Sequence, residues 1–219
     1  MKPTIALNIF TNCTQSAPDT TIIKKTFDSF IDTFGELETT VYCDSHPNVK
    51  VFDKYVDNIC DFVDMIVETE SLSEGYIYSI KNSHTDYLFQ LEGDWTFIKN
   101  NIEHTLDEIF ECMFAKNIYH FRFNKRANQI AVWDKKMEPR IYAGENFNLQ
   151  YCESNNMSNN PHIIDVKKYR EEIAKHIKIK PGSKGIEEEL NAQNKYISCI
   201  YGGVGYPATV AHLDGRRAR

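Results

Sequence analysis

The run Tyr87-Leu-Phe-Gln-Leu-Glu-Gly-Asp-Trp95 begins as a buried strand and stops abruptly at two carboxylates that flank a glycine. Residues two apart at a strand end can project to one side, and the glycine lets the backbone turn and come close to a ligand. Glu92 and Asp94 could therefore hold a hard divalent cation, directly or through water, and such a cation binds a diphosphate and stabilises it as a leaving group. The same residues also read as a solvated acidic turn that favours the dipole of a following helix. Two basic clusters stand out, Arg122, Lys125 and Arg126 in Phe121-Arg-Phe-Asn-Lys-Arg126, and Arg216, Arg217 and Arg219 near the end of the sequence. Either could hold a diphosphate or an anionic acceptor, and either could equally be solvated surface.

The elements that must position these groups follow from the hydrophobic pattern. Ile5–Phe10 reads as a first strand, and Ile22, Ile23, Phe27, Phe30, Ile31 and Phe34 then recur at helical spacing, with Gly35 placed as a C-cap. Thr39–Cys43 is a second strand and Asp61–Glu68 a third. Ser71-Leu-Ser-Glu74 has the capping-box pattern that opens a helix to about Ser83. Tyr87–Leu91 is the fourth strand, and after the acidic turn Thr96 is placed to cap a long helix through Ile98, Ile102, Leu106, Ile109, Phe110 and Met113.

The order β-α-β-α-β-α-β-turn-α predicts a mostly parallel central sheet flanked by helices, with ligands beyond the carboxyl ends of its strands. After Lys116 the pattern shifts to short strands at Ile118–Phe123, Gln129–Trp133 and Asn148–Cys152. A polar stretch to Pro161, a strand at His162–Val166, a helix at Lys167–His176 and the turn Pro181–Gly185 come next. A short helix from Ile186, a strand at Ile197–Tyr201 and a Gly-rich bend at Gly202–Gly205 follow. The expectation is one domain over 1–219, with a first half at 1–116 and an irregular second half at 117–219.

Composition bounds the function. At 219 residues, with 42% hydrophobic and 26% charged residues, the chain can bury one α/β core. A formal charge of −6 gives no whole-protein attraction to phosphate backbones. The six cysteines, Cys13, Cys43, Cys60, Cys112, Cys152 and Cys199, are scattered with no CxxC pair, which argues against a zinc site and a disulfide framework and points to a reducing, cytoplasmic setting. The apolar start at Ile5–Phe10 is too short and polar for a signal sequence or a membrane span, so no transmembrane segment is expected.

The segment Ser71-Leu-Ser-Glu-Gly-Tyr76, Asn82 and Asp86 through Asp94 resembles the stretch leading into the DxD motif of GT-A glycosyltransferases, of the family-two-like kind. The resemblance implies a GT-A-like, Rossmann-related fold whose Mn²⁺ or Mg²⁺ binds the diphosphate of a nucleoside diphosphate sugar. It implies that Asp94 binds the metal directly and that Glu92, standing where Asp is commoner, contacts metal-bound water or the ribose. It places the nucleotide over the first two strands, at Thr11, Asn12 and Asp44, where Asp44 could accept a hydrogen bond from a base edge or simply be a turn residue. His212 in Ala208-Thr-Val-Ala-His-Leu-Asp214 matches a third metal ligand of several such enzymes, and imidazole suits Mn²⁺.

Gly185-Ile-Glu-Glu-Glu-Leu190 resembles the acidic segment that supplies the catalytic base of inverting members. Glu188 is the first candidate and Glu187 the second, although acidic residues at a helix start also favour its dipole. Asn159-Asn-Pro-His162 is similar to an acceptor-side loop in related transferases. The implied activity is metal-dependent hexosyl or pentosyl transfer to a hydroxyl of a glycan, a protein or a modified DNA base, as in phage DNA modification; a phage enzyme would work in the host cytoplasm. The alternatives are a nucleotidyltransferase, for which Thr11-Asn-Cys-Thr14 offers no Gly-rich phosphate loop, and a non-catalytic carbohydrate-binding or assembly protein.

Overall fold

The computed structural model describes residues 3–12, 18–132, 134–180 and 185–213. Arg216, Arg217 and Arg219, the turn residues Pro181–Lys184, Cys13 and Thr14, and Trp133 lie outside the described residues. The chain runs β1 (Ile5–Asn12), α1 (Thr21–Phe34), β2 (Thr39–Asp44), α2 (Val49–Cys60), β3 (Met65–Thr69), α3 (Leu72–Asn82), β4 (Tyr87–Glu92), β5 (Trp95–Phe97) and α4 (Leu106–Ala115). It continues as β6 (His120–Arg122), β7 (Met137–Ala143), β8 (Asn148–Ser154), β9 (His162–Asp165), a helical stretch opening with α5 (Val166–Lys168), α6 (Glu187–Ala192), β10 (Ser198–Tyr201) and β11 (Val210–His212).

One nine-stranded sheet in the order β3-β2-β1-β4-β9-β6-β10-β8-β7 crosses both halves of the sequence, and β11 and β5 form a separate antiparallel pair. Strands β3, β2, β1 and β4 are mutually parallel, whereas β9 and β8 run against their neighbours. This is the mixed α/β sheet, mostly parallel in strand direction and flanked by helices, that the alternating pattern predicts.

Period-two alternation divides the core. Leu7 and Ile9 of β1 and Tyr87, Phe89 and Leu91 of β4 pack with Ile23 and Phe30 of α1, Ile59 of α2 and Ile109 and Phe110 of α4. Phe10, Tyr42 and Leu88 go to the other face, with Tyr76 and Ile80 of α3, Tyr169 and Ile173 of the helical stretch, and Leu190 of α6. Glu92 keeps register with Leu88 and so faces the α3 side, at the rim of the second cluster.

The caps show why the helices start and stop where they do. At the end of α1, Gly35 has φ 86° and its N–H reaches the Ile31 carbonyl at 2.8 Å, a left-handed turn that a side chain would strain. The Ser71 hydroxyl accepts from the Glu74 N–H and starts α3 as predicted.

Three expectations need correction. The long helix from Thr96 is not formed: Trp95–Phe97 is a strand paired with β11, and α4 starts instead at a full capping box between Thr105 and Glu108. A distant strand outcompetes local helical spacing there. The third strand spans Met65–Thr69 because Asp61–Val63 turn out of α2. Residues 129–132 are irregular, and the strand of that region is Met137–Ala143.

Candidate functional site

Register places the sequence-predicted donor residues together. Asn12 pairs with Asp44 across β1 and β2, Asp44 with Thr69 across β2 and β3, and Phe10 with Glu92 across β1 and β4. Thr11, Asn12, Asp44 and Glu92 therefore share the carboxyl edge of four parallel strands, where sheets of this kind bind ligands. The Thr11 hydroxyl is 2.8 Å from the Tyr55 hydroxyl of α2. The Asp44 carboxyl is pushed up from its ordinary value chiefly by burial, with Glu74 adding to the rise and the Thr69 hydroxyl, donating at 3.2 Å, opposing it.

The acidic turn is built tightly. The Gly93 N–H donates to the Phe10 carbonyl at 2.7 Å, and the Thr26 hydroxyl donates to the Gly93 carbonyl at 3.0 Å. A Cβ at position 93 would meet the Phe10 oxygen and Thr11 Cβ at 3.3 Å each, so glycine lets the turn lie against β1. Asp94 then meets β11. The Leu213 N–H donates to the Asp94 carbonyl at 2.7 Å, and His212 Nε2 lies 3.2 Å from Asp94 Oδ2. The His212 ring stands edge-on to Trp95 at 4.6 Å between centroids, and Lys125 Nζ lies over the same indole at 5.4 Å.

The contact is that of a hydrogen-bonded or ion pair, and its length is also one that two ligands of a single cation would have. Two donors on adjacent corners of an octahedron, each about 2.1 Å from the ion, lie about 3 Å apart. Among the described residues no three His, Cys, Asp or Glu side chains gather around one point. An imidazole nitrogen beside a carboxylate oxygen suits Mn²⁺ better than Mg²⁺, with waters and substrate phosphates in the remaining positions.

The acidic run divides into three roles. Glu187, half-buried at the start of α6, accepts from the Ser158 hydroxyl at 3.0 Å and the Asn159 N–H at 2.5 Å through Oε1. Glu188 is exposed. Glu189 is an ion-pair partner of Lys178 and Lys180. Asn159 in turn lines a crevice with Phe10, Leu72, Tyr76, Glu92 and His162. Glu187 and Glu92 are thus linked through one strip of chain.

Arg122 is not available to an anionic ligand. It is 1% exposed, paired with Asp134 and donating to Ser198 and Asn124 at 3.1 Å each. Of that cluster, Lys125 reaches the Asp94 neighbourhood. Tyr76 and His162 were not legible as site residues: Tyr76 sits in an ordinary helical pattern, and His162 has no partner at metal-type spacing. The signal at His162 is its place in Asn159-Asn-Pro-His162, the segment similar to an acceptor-side loop.

No protein-family model matches the chain, and no curated protein matches it. Among solved structures, the crystal structure of TarS residues 1–349 from S. aureus, a glycosyltransferase, superposes with a TM-score of 0.56 at 13% identity, covering 94% of this chain and 59% of that one. The chain spans about three fifths of the TarS fragment's length. No helix among the described residues is long and apolar enough to cross a membrane. At that identity the likeness concerns fold alone, and the fold of this chain resembles that of a glycosyltransferase.

Proposed function

We propose that this chain transfers a sugar from a nucleoside diphosphate sugar to an acceptor hydroxyl, with the donor laid along the carboxyl edge of β1, β2 and β4. The observation that carries the reading is the 3.2 Å approach of His212 to Asp94 directly after the fourth strand, on a sheet resembling that of TarS. A Mn²⁺ or Mg²⁺ ion held by Asp94 and His212 supplies charge neutralisation at the diphosphate leaving group. Glu92 faces bound water or the ribose. Asp44, whose raised carboxyl still accepts from Thr69, reads a base edge. Lys125, exposed above Trp95, adds positive charge next to the diphosphate.

For the proton of the acceptor hydroxyl, the contacts favour Glu187 over Glu188. Glu187 is held against the strip that lines the crevice, whereas Glu188 faces solvent. A carboxylate so held takes the proton as the acceptor oxygen attacks the anomeric carbon, which gives inversion. The acceptor is a glycan, a protein side chain or a modified DNA base.

The test is calorimetric titration of the protein with UDP, GDP and dTDP, each with and without Mn²⁺, followed by incubation with the matching nucleotide sugars. Cation-dependent binding of one nucleotide and release of that nucleotide from its sugar are expected. Absence of binding by a folded protein at millimolar nucleotide overturns the reading.

A further inference from the structure

Tyr76, His120, His162 and Tyr169 are all buried, and each is hydrogen-bonded to another member of the group. The proton positions of Tyr76 and His162 follow from one fixed end. His162 Nδ1 lies 2.7 Å from the Asn160 carbonyl oxygen, which can only accept, so Nδ1 carries the hydrogen. Burial holds this imidazole neutral, so Nε2 is a lone pair and accepts from the Tyr76 hydroxyl at 2.7 Å. That uses the single Tyr76 proton. Tyr169 Oη lies 2.5 Å from His120 Nδ1, a second hydrogen-bonded pair beside the first. The His120 and His162 rings stack at 4.5 Å, which closes the group into one packed unit.

The hydrogen bonds therefore run one way from Tyr76 through His162 to the Asn160 carbonyl. The strip they end on is the one that holds Glu187: its Ser158 hydroxyl and Asn159 N–H both donate to Glu187 Oε1. The Asn160 side chain is tied on the core side to Asn124 at 3.0 Å. Tyr76, His162 and Asn159 line the same crevice as Glu92. A directed chain of buried bonds is costly to leave half-made, so it fixes the strip in one position.

We propose that Tyr76 and His162 are positioning residues for the Glu187 carboxylate, acting through the Asn160 carbonyl and the Asn159 N–H that they hold in place. The kinetic part of this inference rests on the transfer reading; the structural part does not.

The test has two arms. Long-range ¹H–¹⁵N spectra should show His162 as the Nδ1–H tautomer, and hydrogen exchange of the Asn159 amide should quicken at least tenfold in Tyr76→Phe, while amides of β1 and β4 keep parental protection. In the second arm, with whichever nucleotide sugar the parent turns over, Tyr76→Phe and His162→Ala should lower kcat tenfold or more at unchanged donor KM and unchanged nucleotide affinity. His162→Gln, which can still donate to the Asn160 carbonyl, should recover part of that loss. An Nε2–H tautomer, or parental Asn159 exchange in Tyr76→Phe, overturns the inference. So does a parental kcat in both Tyr76→Phe and His162→Ala. A parent that turns over no nucleotide sugar but shows the expected tautomer and exchange refutes the transfer reading and supports the positioning of Glu187.

Discussion

His212 Nε2 lies 3.2 Å from Asp94 Oδ2, one residue closing the last strand and the other following the fourth. Pairing of β5 with β11 sets His212 opposite Trp95, and the Leu213 N–H binds the Asp94 carbonyl, so backbone bonds on both sides fix the approach. The two side chains are brought together by the ladder, and neither is needed to hold it. Removing them should cost binding and leave the fold.

Asp94→Ala and His212→Ala are therefore each expected to weaken Mn²⁺-dependent nucleotide binding at least tenfold by calorimetry, with the melting temperature of the ligand-free protein changed by only a few degrees. The double variant should lose little beyond the stronger single one, because both remove the same ion. Parental affinity in either single variant would place the cation elsewhere.

Glu187→Gln and Glu188→Gln separate the two candidate bases. The amide keeps the size of Glu187 and can still accept from Ser158 and Asn159, so nucleotide affinity should hold. Turnover should fall on the order of a hundred- to ten-thousand-fold, as for loss of a positioned base. Glu188→Gln should be near parental. The reverse pattern in steady-state rates would return the role to Glu188.

The elements that were legible are those whose partners are near in sequence. Ile5–Asn12, Thr21–Phe34, Leu72–Asn82 and Tyr87–Glu92 form repeating strand–helix units, and their apolar spacing and caps say so locally. The Glu92–Asp94 turn followed from the same pattern. Thr96 misled because Ile98 and Ile102 continue the helical spacing of Leu106, while the strand that captures Trp95–Phe97 comes from Val210–His212. Thr105 and Glu108, three apart, carried the true start of that helix. The role of Arg122 was misread as surface or ligand-binding charge, and that of His162 was legible only as part of the Asn159–His162 loop. Both depend on neighbours across the sheet, Asp134 and Ser198 for one, Tyr76 for the other, and no local spacing encodes those contacts.

Mild acid should destabilise the protein through its buried histidines. Burial pushes His162 down to about 4, with Arg122 adding to the fall and the Asn160 carbonyl opposing it. Burial, then His162 and Arg122, push His120 well below its ordinary value. In the unfolded chain both protonate near pH 6.5, so the unfolded state takes up protons first as pH falls. Stability is unaffected by these groups above about pH 6.5 and declines from there toward pH 4, by on the order of 3 kcal/mol for His162 alone. Urea midpoints at pH 7, 6 and 5 test this above the range of most carboxylates. A flat profile would mean that the rings are not buried and neutral.

The ion pair of Arg122 and Asp134 is the last case, because it separates a structural cation from a ligand-binding one. Both side chains are almost fully buried, and Asp134 also accepts from the Ser154 hydroxyl. Burial pulls the Arg122 guanidinium down and Asp134 opposes that most strongly, so the carboxylate is what keeps the charge tolerable inside the sheet. Asp134→Ala leaves that charge without its counterion and should cost about 3–5 kcal/mol in chemical denaturation. Replacing both partners by apolar residues, Arg122→Met with Asp134→Leu, removes the charge together with its partner and should recover most of the loss. Nucleotide affinity in the double variant should match the parent, since Arg122 is buried and its side chain is bound to Asp134, Ser198 and Asn124. If the stably folded double variant binds nucleotide tenfold more weakly, Arg122 reaches the ligand after all, and the diphosphate lies deeper than the carboxyl edge of β1 and β4.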